Sequence, residues 1–523
     1  MKKALLFLGL SLYASLGYAQ NEQRLVFNFA SPRQTIHSFG ASDCWRVQYI
    51  GKNWPIEKRN QIADLLFSSE LDSWGNPKGI GLSMWRFNIG SGSHEAGDNG
   101  GVASLWRRAE CFLDKEGDWD WDKQEGQRWM LQAARERGVR YSLGFSITAP
   151  YFMTKNGMAR ASEKTPNIRE DQFDDYAAFL AEVSTHLGLD YLSPINEPQW
   201  EWVGSGQEGM QATNEECSRL IHLLDKELKR RESKTKVVFG EAGDIRYLYR
   251  SGTNKPERDN QLKEIFSKKG IHSIYGLSSV APIVSGHSYW STWPVDTLVQ
   301  TRKELAEELG KQLPANYTYW QTEYCPMEQN PDNPRGGGGR DLGMNTALYV
   351  ARVIHHDLTV ANAASWQWWT AFSEWNYKDG LIFIDDGTIA DGASRGDEKM
   401  IETCKNDGVF RTSKLLWALG NYSFFVRPGM VRLDGGAEME EATSVMASAY
   451  IDKSSKQVVV VLINYSEENQ KVDLSFQSLP NEYHVQKYKL FETSNRSDLQ
   501  YKGIVGNKFE VPARSILTLV GVE

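Results

Sequence analysis

From about residue 35 to 421 the chain alternates short apolar runs with stretches of helical period, the pattern of repeated βα units. Eight runs read as strands: 35–42, 81–89, 140–147, 190–196, 236–241, 283–289, 317–323 and 362–370. Between them apolar residues recur at helical spacing. Phe173, Tyr176, Ala177, Leu180, Val183 and Leu187 share one face, and Gly188 ends that helix. Thr213 with Glu216 makes a capping box opening the next helix, whose buried face carries Leu220, Leu224 and Leu228. Eight such units close a (β/α)8 TIM barrel, an α/β fold that here takes residues 35–421.

After Asn421 the period changes. The run 456–465 is nearly all apolar, and Val472, Leu474 and Phe476 alternate with polar neighbours. Further strands are expected at 482–491 and 515–522, so 422–523 reads as a C-terminal antiparallel β-sandwich domain. An early strand at 24–30, within the segment 20–34, precedes the barrel and is expected to pair with that sandwich. Ahead of it, Lys2 and Lys3, the apolar run 4–16 and the small residues of Gly17-Tyr18-Ala19 form the pattern of a cleavable export signal over 1–19. The expected mature chain is secreted or periplasmic, with no run long enough to span a bilayer.

The formal net charge is −8, and two units more negative without Lys2 and Lys3, which argues against nucleic acid as a partner. The five cysteines (Cys44, Cys111, Cys217, Cys325, Cys404) show no framework spacing and no CxxC. One bridge between Cys44 and Cys325, both near strand ends, stays open. Trp, Tyr and Phe number 18, 22 and 21; flat aromatic faces stack on pyranose rings, and a large aromatic-rich core takes most of them.

The chemistry sits at strand ends. Ser193-Pro194-Ile195-Asn196-Glu197-Pro198 closes the fourth strand, and Trp320-Gln321-Thr322-Glu323-Tyr324 closes the seventh. A retaining glycosidase needs two facing carboxyl groups about 5–5.5 Å apart, one to attack the anomeric carbon and one to protonate the departing oxygen. The C-terminal ends of different barrel strands can hold two distant residues so. Arg86, on the second strand, is costly to bury unpaired, and Glu323 is its candidate partner. Tyr289, on the sixth, could donate to that carboxylate. His287 reads either as a contact to substrate or acid, or as a satisfied core histidine. Glu241, ending the fifth strand, either touches substrate or pairs with a base. Trp45 and Trp368 read as sugar platforms or as packing, and Trp366 as core. Gly336–Gly339 reads as a flexible loop over the cleft, and Asp385-Asp386-Gly387 as a solvated turn.

The order of these motifs resembles glycoside hydrolase family 30, in the clan of two-glutamate barrel glycosidases. The matching segments are Ile36-His37-Ser38-Phe39-Gly40-Ala41-Ser42, Arg86-Phe87-Asn88, Ser146-Ile147-Thr148-Ala149-Pro150-Tyr151-Phe152-Met153, Asn196-Glu197-Pro198, Gly286-His287-Ser288-Tyr289 and Thr322-Glu323. The stretch Gly420-Asn421-Tyr422-Ser423-Phe424-Phe425-Val426-Arg427-Pro428-Gly429 is similar to that family's passage from barrel to sandwich. The resemblance implies retention, with Glu197 as acid/base, Glu323 as nucleophile and Asn196 on the sugar 2-hydroxyl. It implies no metal and no organic cofactor. Thr148-Ala149-Pro150-Tyr151 replaces the Ser-Pro-Pro of many members, and Asp43-Cys44-Trp45-Arg46 after the first strand is distinctive, with Asp43 and Trp45 counted among substrate contacts. Both departures are most similar to the endo-β-1,6-galactanase subgroup. The expectation is a monomeric endo-β-glycosidase acting on a polysaccharide or oligosaccharide. Another activity of the family (glucuronoxylanase, β-1,6-glucanase, exo-β-glycosidase) and a catalytically silent carbohydrate-binding protein are the alternatives.

Overall fold

The computed structural model describes residues 22–388, 402–437, 444–483 and 485–522, so the expected leader lies outside the described residues. After β1 (Gln23–Thr35), eight parallel strands close a barrel in chain order. They are β2 (Ser38–Ser42), β3 (Met84–Asn88), β4 (Tyr141–Phe145), β5 (Tyr191–Ser193), β6 (Lys236–Ala242), β7 (Val280–His287), β8 (Thr318–Glu323) and β9 (Ala363–Trp369). β9 returns to β2, with Ser38 opposite Ser365 and Ser42 opposite Trp369. Each expected barrel strand has its counterpart. The helices Phe173–His186 and Asn214–Arg230 form as read, the second with Thr213 and Glu216 in a reciprocal capping box.

Met84, Leu143, Val238, Ala281, Ile283, Trp320 and Ala364 fill the lower barrel interior as one apolar cluster. Two residues beyond Met84 on the same strand face, Arg86 begins the polar layer above it. The outer strand faces pack on the helix layer through residues such as Trp85, Phe87 and Trp366.

Beyond β9 a small sheet of β10 (Phe372–Ser373), β11 (Ile382–Asp385) and β12 (Val409–Thr412) precedes the buried helix Lys414–Ser423. Asp385 is no solvated turn residue: fully buried, it pairs with Arg340 at 3.2 Å and Arg411 at 2.9 Å. Nor is the loop at Gly336–Gly339 free, since Gly337 N–H donates to Met327 O and Gly339 N–H to Asn376 O.

The C-terminal strands are β13 (Val431–Ala437), β14 (Met446–Ile451), β15 (Val458–Asn464), β16 (Gln470–Gln477), β17 (Lys487–Ser494), β18 (Ser497–Val505), β19 (Lys508–Val511) and β20 (Ser515–Val522). They form one nine-stranded sheet, order β18-β17-β20-β15-β14-β13-β1-β16-β19, antiparallel except where β1 runs parallel to β16. Leu25, Leu433, Val460, Leu474, Val511 and Leu519 share one core, so the sheet curls to cover its own inner face. β15 explains the unbroken apolar run. Val458, Val460 and Leu462 face that core, while Val459, Val461 and Ile463 pack in the cluster that includes the barrel helices. The helix Lys414–Ser423 joins the two layers: Ser423 Oγ donates to Ile80 O, and Asn421 takes hydrogen bonds with Thr493 and Thr518.

The helix Arg46–Asn53, which follows β2, is set by two glycines. It meets helix Glu125–Glu136 backbone to backbone, and a Cβ on Gly126 would lie 2.0 Å from the Gln48 carbonyl oxygen. Gly126→Ala is therefore expected to destabilise by about 1–3 kcal/mol through overpacking. Gly310→Ala, in the open on helix Val295–Gln312, should be neutral or stabilise by up to about 1 kcal/mol. Urea and thermal midpoints of the two variants check the contrast.

Candidate active site

Asn196 and Glu197 stand just past β5. Pro194 has no N–H to give, so the ladder stops at Ser193 and β5 is shorter than its apolar run. The backbone stays tied to both neighbouring strands: Asn196 N–H donates to Ser146 O and Glu197 N–H to Glu241 O, each at 3.0 Å. Glu197 has φ 47°, a left-handed conformation costing a non-glycine residue about 1–3 kcal/mol. Its carbonyl is held there by Trp200 N–H at 3.1 Å and the Trp202 indole N–H at 3.3 Å. Glu323 ends β8 across the mouth. A carboxylate oxygen of Glu197 and one of Glu323 lie within 4.8 Å of each other. That is the close spacing of a retaining pair, too short for the about 6.5–9.5 Å that leaves room for an attacking water.

Arg86 knits the floor together. Fully buried, it donates to Glu323 Oε2 at 2.5 Å, to Asn196 Oδ1 at 2.8 Å and to Glu241 Oε2 at 2.9 Å. The Phe145 ring lies 3.9 Å from its guanidinium carbon. Because Asn196 accepts through its oxygen, its amide nitrogen is left to face the cleft as a donor. Tyr289 OH donates to Glu323 Oε1 at 3.2 Å, so both oxygens of Glu323 are held. His287 is wedged between Glu197 Oε1 at 2.7 Å from Nδ1 and Glu241 Oε2 at 2.8 Å from Nε2. Burial works against its charged form, but Glu323, Glu197 and Glu241 together push its pKa up to about 9. Complete burial opposes ionisation of Glu241 too, yet Arg86 and His287 bring it down to about 2. Glu197 differs: burial raises its carboxyl and the Glu323 charge adds to this, while His287 pulls the other way.

Two cations, Arg86 and His287, thus face two anions, Glu241 and Glu323. The cluster balances when Glu197 carries its proton. Glu197, His287 and Glu323 are also the grouping among the described residues whose spacing could suit a metal ion. Both ring nitrogens of His287 are engaged here, Nδ1 by Glu197 and Nε2 by Glu241.

Several expected contacts are placed elsewhere. Asp43 is fully buried: Oδ1 accepts from the N–H groups of Trp45, Arg46 and Val47, and Oδ2 from Thr370 Oγ1 and the Phe372 N–H. It fixes the start of helix Arg46–Asn53 and touches no cleft. Trp368 shares a face with Trp366 as its spacing requires, but that is the outer face, and its indole donates to Thr370 O and Asp379 O. Glu241 and His287 have no accessible surface and support the site from beneath. A bulge at Gly240, φ 120°, turns Glu241 inward, where alternation from Val238 would have pointed residue 240. Trp45, nearly buried, meets Trp369 edge-on at 5.2 Å and lines a side cavity. All five cysteines are free and buried, so Cys44 and Cys325 form no bridge.

Over Glu197 and Glu323 lies a cleft of about 700 Å³ walled by Asn196, Trp200, Trp202, Tyr247, Tyr289, Trp290, Met327 and Trp369, with Asp244 and Arg246. Through Gln207, Met327 and Trp369 it adjoins a second cavity of about 560 Å³ that adds Trp45, Arg107, Trp375, Tyr377 and Asp379. The sequence reading missed most of this wall. Trp200 and Trp202 lie two and four residues after Asn-Glu-Pro and Trp290 follows Tyr289, so proximity to the motifs was a usable signal. Arg107, in a loop far from any motif, gave none.

The buried imidazolium has a pH signature. A histidine whose pKa rises from 6.5 to about 9 on folding stabilises fully below pH 6.5, and that contribution fades as pH climbs towards 9. The thermal midpoint of the wild type relative to His287→Gln should therefore fall steadily across that interval. Calorimetry at a series of pH values reads it, and a constant difference would contradict the assignment.

Residues 22–383 match O-glycosyl hydrolase family 30. An endo-β-1,6-galactanase of Hypocrea rufa is 23% identical over 396 residues, 71% of each chain. A conserved exported protein of Bacteroides fragilis superposes with a TM-score of 0.87 at 38% identity, over 95% of this chain and 100% of that one. The catalytic domain of the family 30 xylanase C of Talaromyces cellulolyticus shares the fold, with a TM-score of 0.65 at 18% identity over 96% and 100%. With a family match across the whole barrel and a close carboxylate pair at its mouth, the chain belongs to glycoside hydrolase family 30, the retaining O-glycosyl hydrolases.

Proposed function

We propose that this protein is an exported endo-β-glycosidase that cleaves a β-linked polysaccharide, best fitted by β-1,6-galactan, with Glu323 as nucleophile and Glu197 as acid/base. The observation that carries the roles is the unequal treatment of two carboxyl groups within 4.8 Å. Glu323 accepts from Arg86 and Tyr289, whereas Glu197 is raised by burial and by the Glu323 charge. In the first step a Glu323 oxygen bonds to the anomeric carbon, the glycosidic C–O bond breaks, and the Glu197 proton goes to the departing oxygen. Asn196 donates to the sugar 2-hydroxyl as positive charge builds at that carbon. Esterification removes the Glu323 charge, so Glu197 becomes a stronger acid and stays ionised. It then takes a proton from water, whose oxygen attacks the anomeric carbon and releases Glu323.

Endo action is supported by the groove itself. Aromatic walls continue from Trp200, Trp202 and Trp290 past the carboxylate pair to Trp369, Trp45 and Trp375, across two adjoining cavities of about 700 and 560 Å³. The choice of galactan rests on the named relative from Hypocrea rufa. Export is supported by the leader pattern and by the exported protein from Bacteroides fragilis. A silent binding protein is disfavoured, because both carboxyl groups and every donor that supports them are in place.

The test is the product profile on β-1,6-galactan beside glucuronoxylan and β-1,6-glucan. Short galacto-oligosaccharides from the first polymer alone are expected. Products from another polymer would keep the mechanism and replace the substrate. Glu323→Gln should abolish turnover while binding persists. Glu197→Ala should lose about 10²–10⁴-fold on polymer, and azide should restore turnover of an aryl glycoside, the aryl group leaving as its phenolate and the glycosyl group then leaving Glu323 as the β-glycosyl azide. Failure of that rescue would sink the acid/base assignment.

A further inference from the structure

Beneath the carboxylate pair, two groups with no accessible surface, Glu241 and His287, lead up to Glu197. Glu241, His287 and Glu197 form a chain from β6 through β7 to the end of β5, closed by hydrogen bonds of 2.8 and 2.7 Å. All of Glu241 and His287 is buried. We propose that Glu241 is a positioning residue: its carboxylate keeps both nitrogens of His287 protonated, which commits the Nδ1–H to Glu197 and fixes where the Glu197 proton sits. The inference rests on Glu197 being the acid/base.

The argument is one of donors and acceptors. Nδ1 of an imidazolium must donate, so Oε1 of Glu197 must accept, and the carboxyl proton is confined to Oε2. Among the described residues no group bonds Oε2, and Glu197 lines the cleft. The proton is thereby aimed at the leaving oxygen. A neutral His287 with a bare Nδ1 would offer that proton a competing acceptor inside the protein. The charge also serves the second step, in which Glu197 must be an anion, and an adjacent cation favours that form.

Every charged group around His287 is compatible with this. From β6 comes Glu241, itself shared with Arg86 of β3 and with Thr322 Oγ1 at 3.1 Å. From β8 comes Glu323, 3.8 Å from Nδ1. On its own strand end Tyr289 stands edge-on at 6.0 Å, a phenol that burial keeps protonated. Glu241 is the one carboxylate of the three that takes no part in the covalent steps. It stays an anion while Glu323 is esterified and Glu197 trades its proton, so it is the constant counter-charge that the imidazolium needs.

The test begins with ¹⁵N NMR of labelled histidines in the full mature chain. The sequence has nine histidines, and the signal of His287 is the one missing from His287→Gln. In the wild type both of its nitrogens should read as protonated at pH 7.5. Glu241→Gln should lower the midpoint of His287 titration by about 1–3 units, and Glu241→Asp, which keeps the charge, should restore most of it. A neutral His287 in the wild type, or a midpoint unmoved in Glu241→Gln, overturns the proposal. The kinetic arm uses His287→Gln, which keeps a hydrogen-bond donor but loses the cation. The basic limb of its kcat/KM profile should move up by about one unit, because Glu197 holds its proton more tightly without an adjacent charge. Polymer should suffer more than an aryl glycoside with a good leaving group, which needs little protonation. A limb that stays put counts against the proposal. A moved NMR midpoint without azide rescue of Glu197→Ala would instead strike at the acid/base assignment and leave the Glu241–His287 couple standing.

Discussion

A guanidinium sealed inside a barrel is the constraint around which this molecule is organised. Arg86 has no accessible surface, and an unmatched charge there costs several kcal/mol even after relaxation. Three acceptors from three other strands surround it: Glu323, Asn196 and Glu241. Two of its neighbours are carboxylates, so a second cation is needed for balance, and His287 supplies it. The spacing of Glu197 and Glu323, the inward turn of Glu241 and the orientation of the Asn196 amide all follow from satisfying one side chain.

The strand ends that carry this cluster were legible because barrel strands are short apolar runs, and a polar residue closing such a run is carried by the fold to the barrel mouth. Asn196, Glu197, Glu323, Arg86 and Tyr289 were found that way. Errors arose where local pattern does not decide between faces or partners. The period of two placed Trp366 and Trp368 together, yet nothing in it says which face meets the helices. Asp43 had the look of a site residue after a strand, but an aspartate just ahead of a helix is as readily claimed by backbone N–H groups, and here three take it. Glu241 reached the interior through a bulge at Gly240, a feature visible only once β7 is beside it. Trp375 and Arg107 reach the wall beside Trp369 through segments between the barrel strands, whose paths hydrophobic period does not describe.

The C-terminal sheet supports the barrel through shared packing. β15 has an apolar residue at every position from Val458 to Ile463 since it has no solvent face. At about 1.5–3 kcal/mol for each large aliphatic side chain, the residues facing the barrel helices are enough to hold the two layers in a fixed relation. Helix Lys414–Ser423 adds directional bonds to both, to Ile80 ahead of β3 and to Thr493 of β17.

β1 has a bearing on how the chain reaches this state. It lies between β13 and β16, and Gln23 exchanges hydrogen bonds with Val445 across 422 positions of sequence. A chain in which only the barrel has folded therefore holds the first strand of the sheet with neither of its partners in place. Leu25 and Phe27 are then without their cover, and the sheet cannot propagate through its missing member. The barrel can close early; the sheet must close last. Final locking is thus the step in which a strand from ahead of the barrel is captured by strands that follow it.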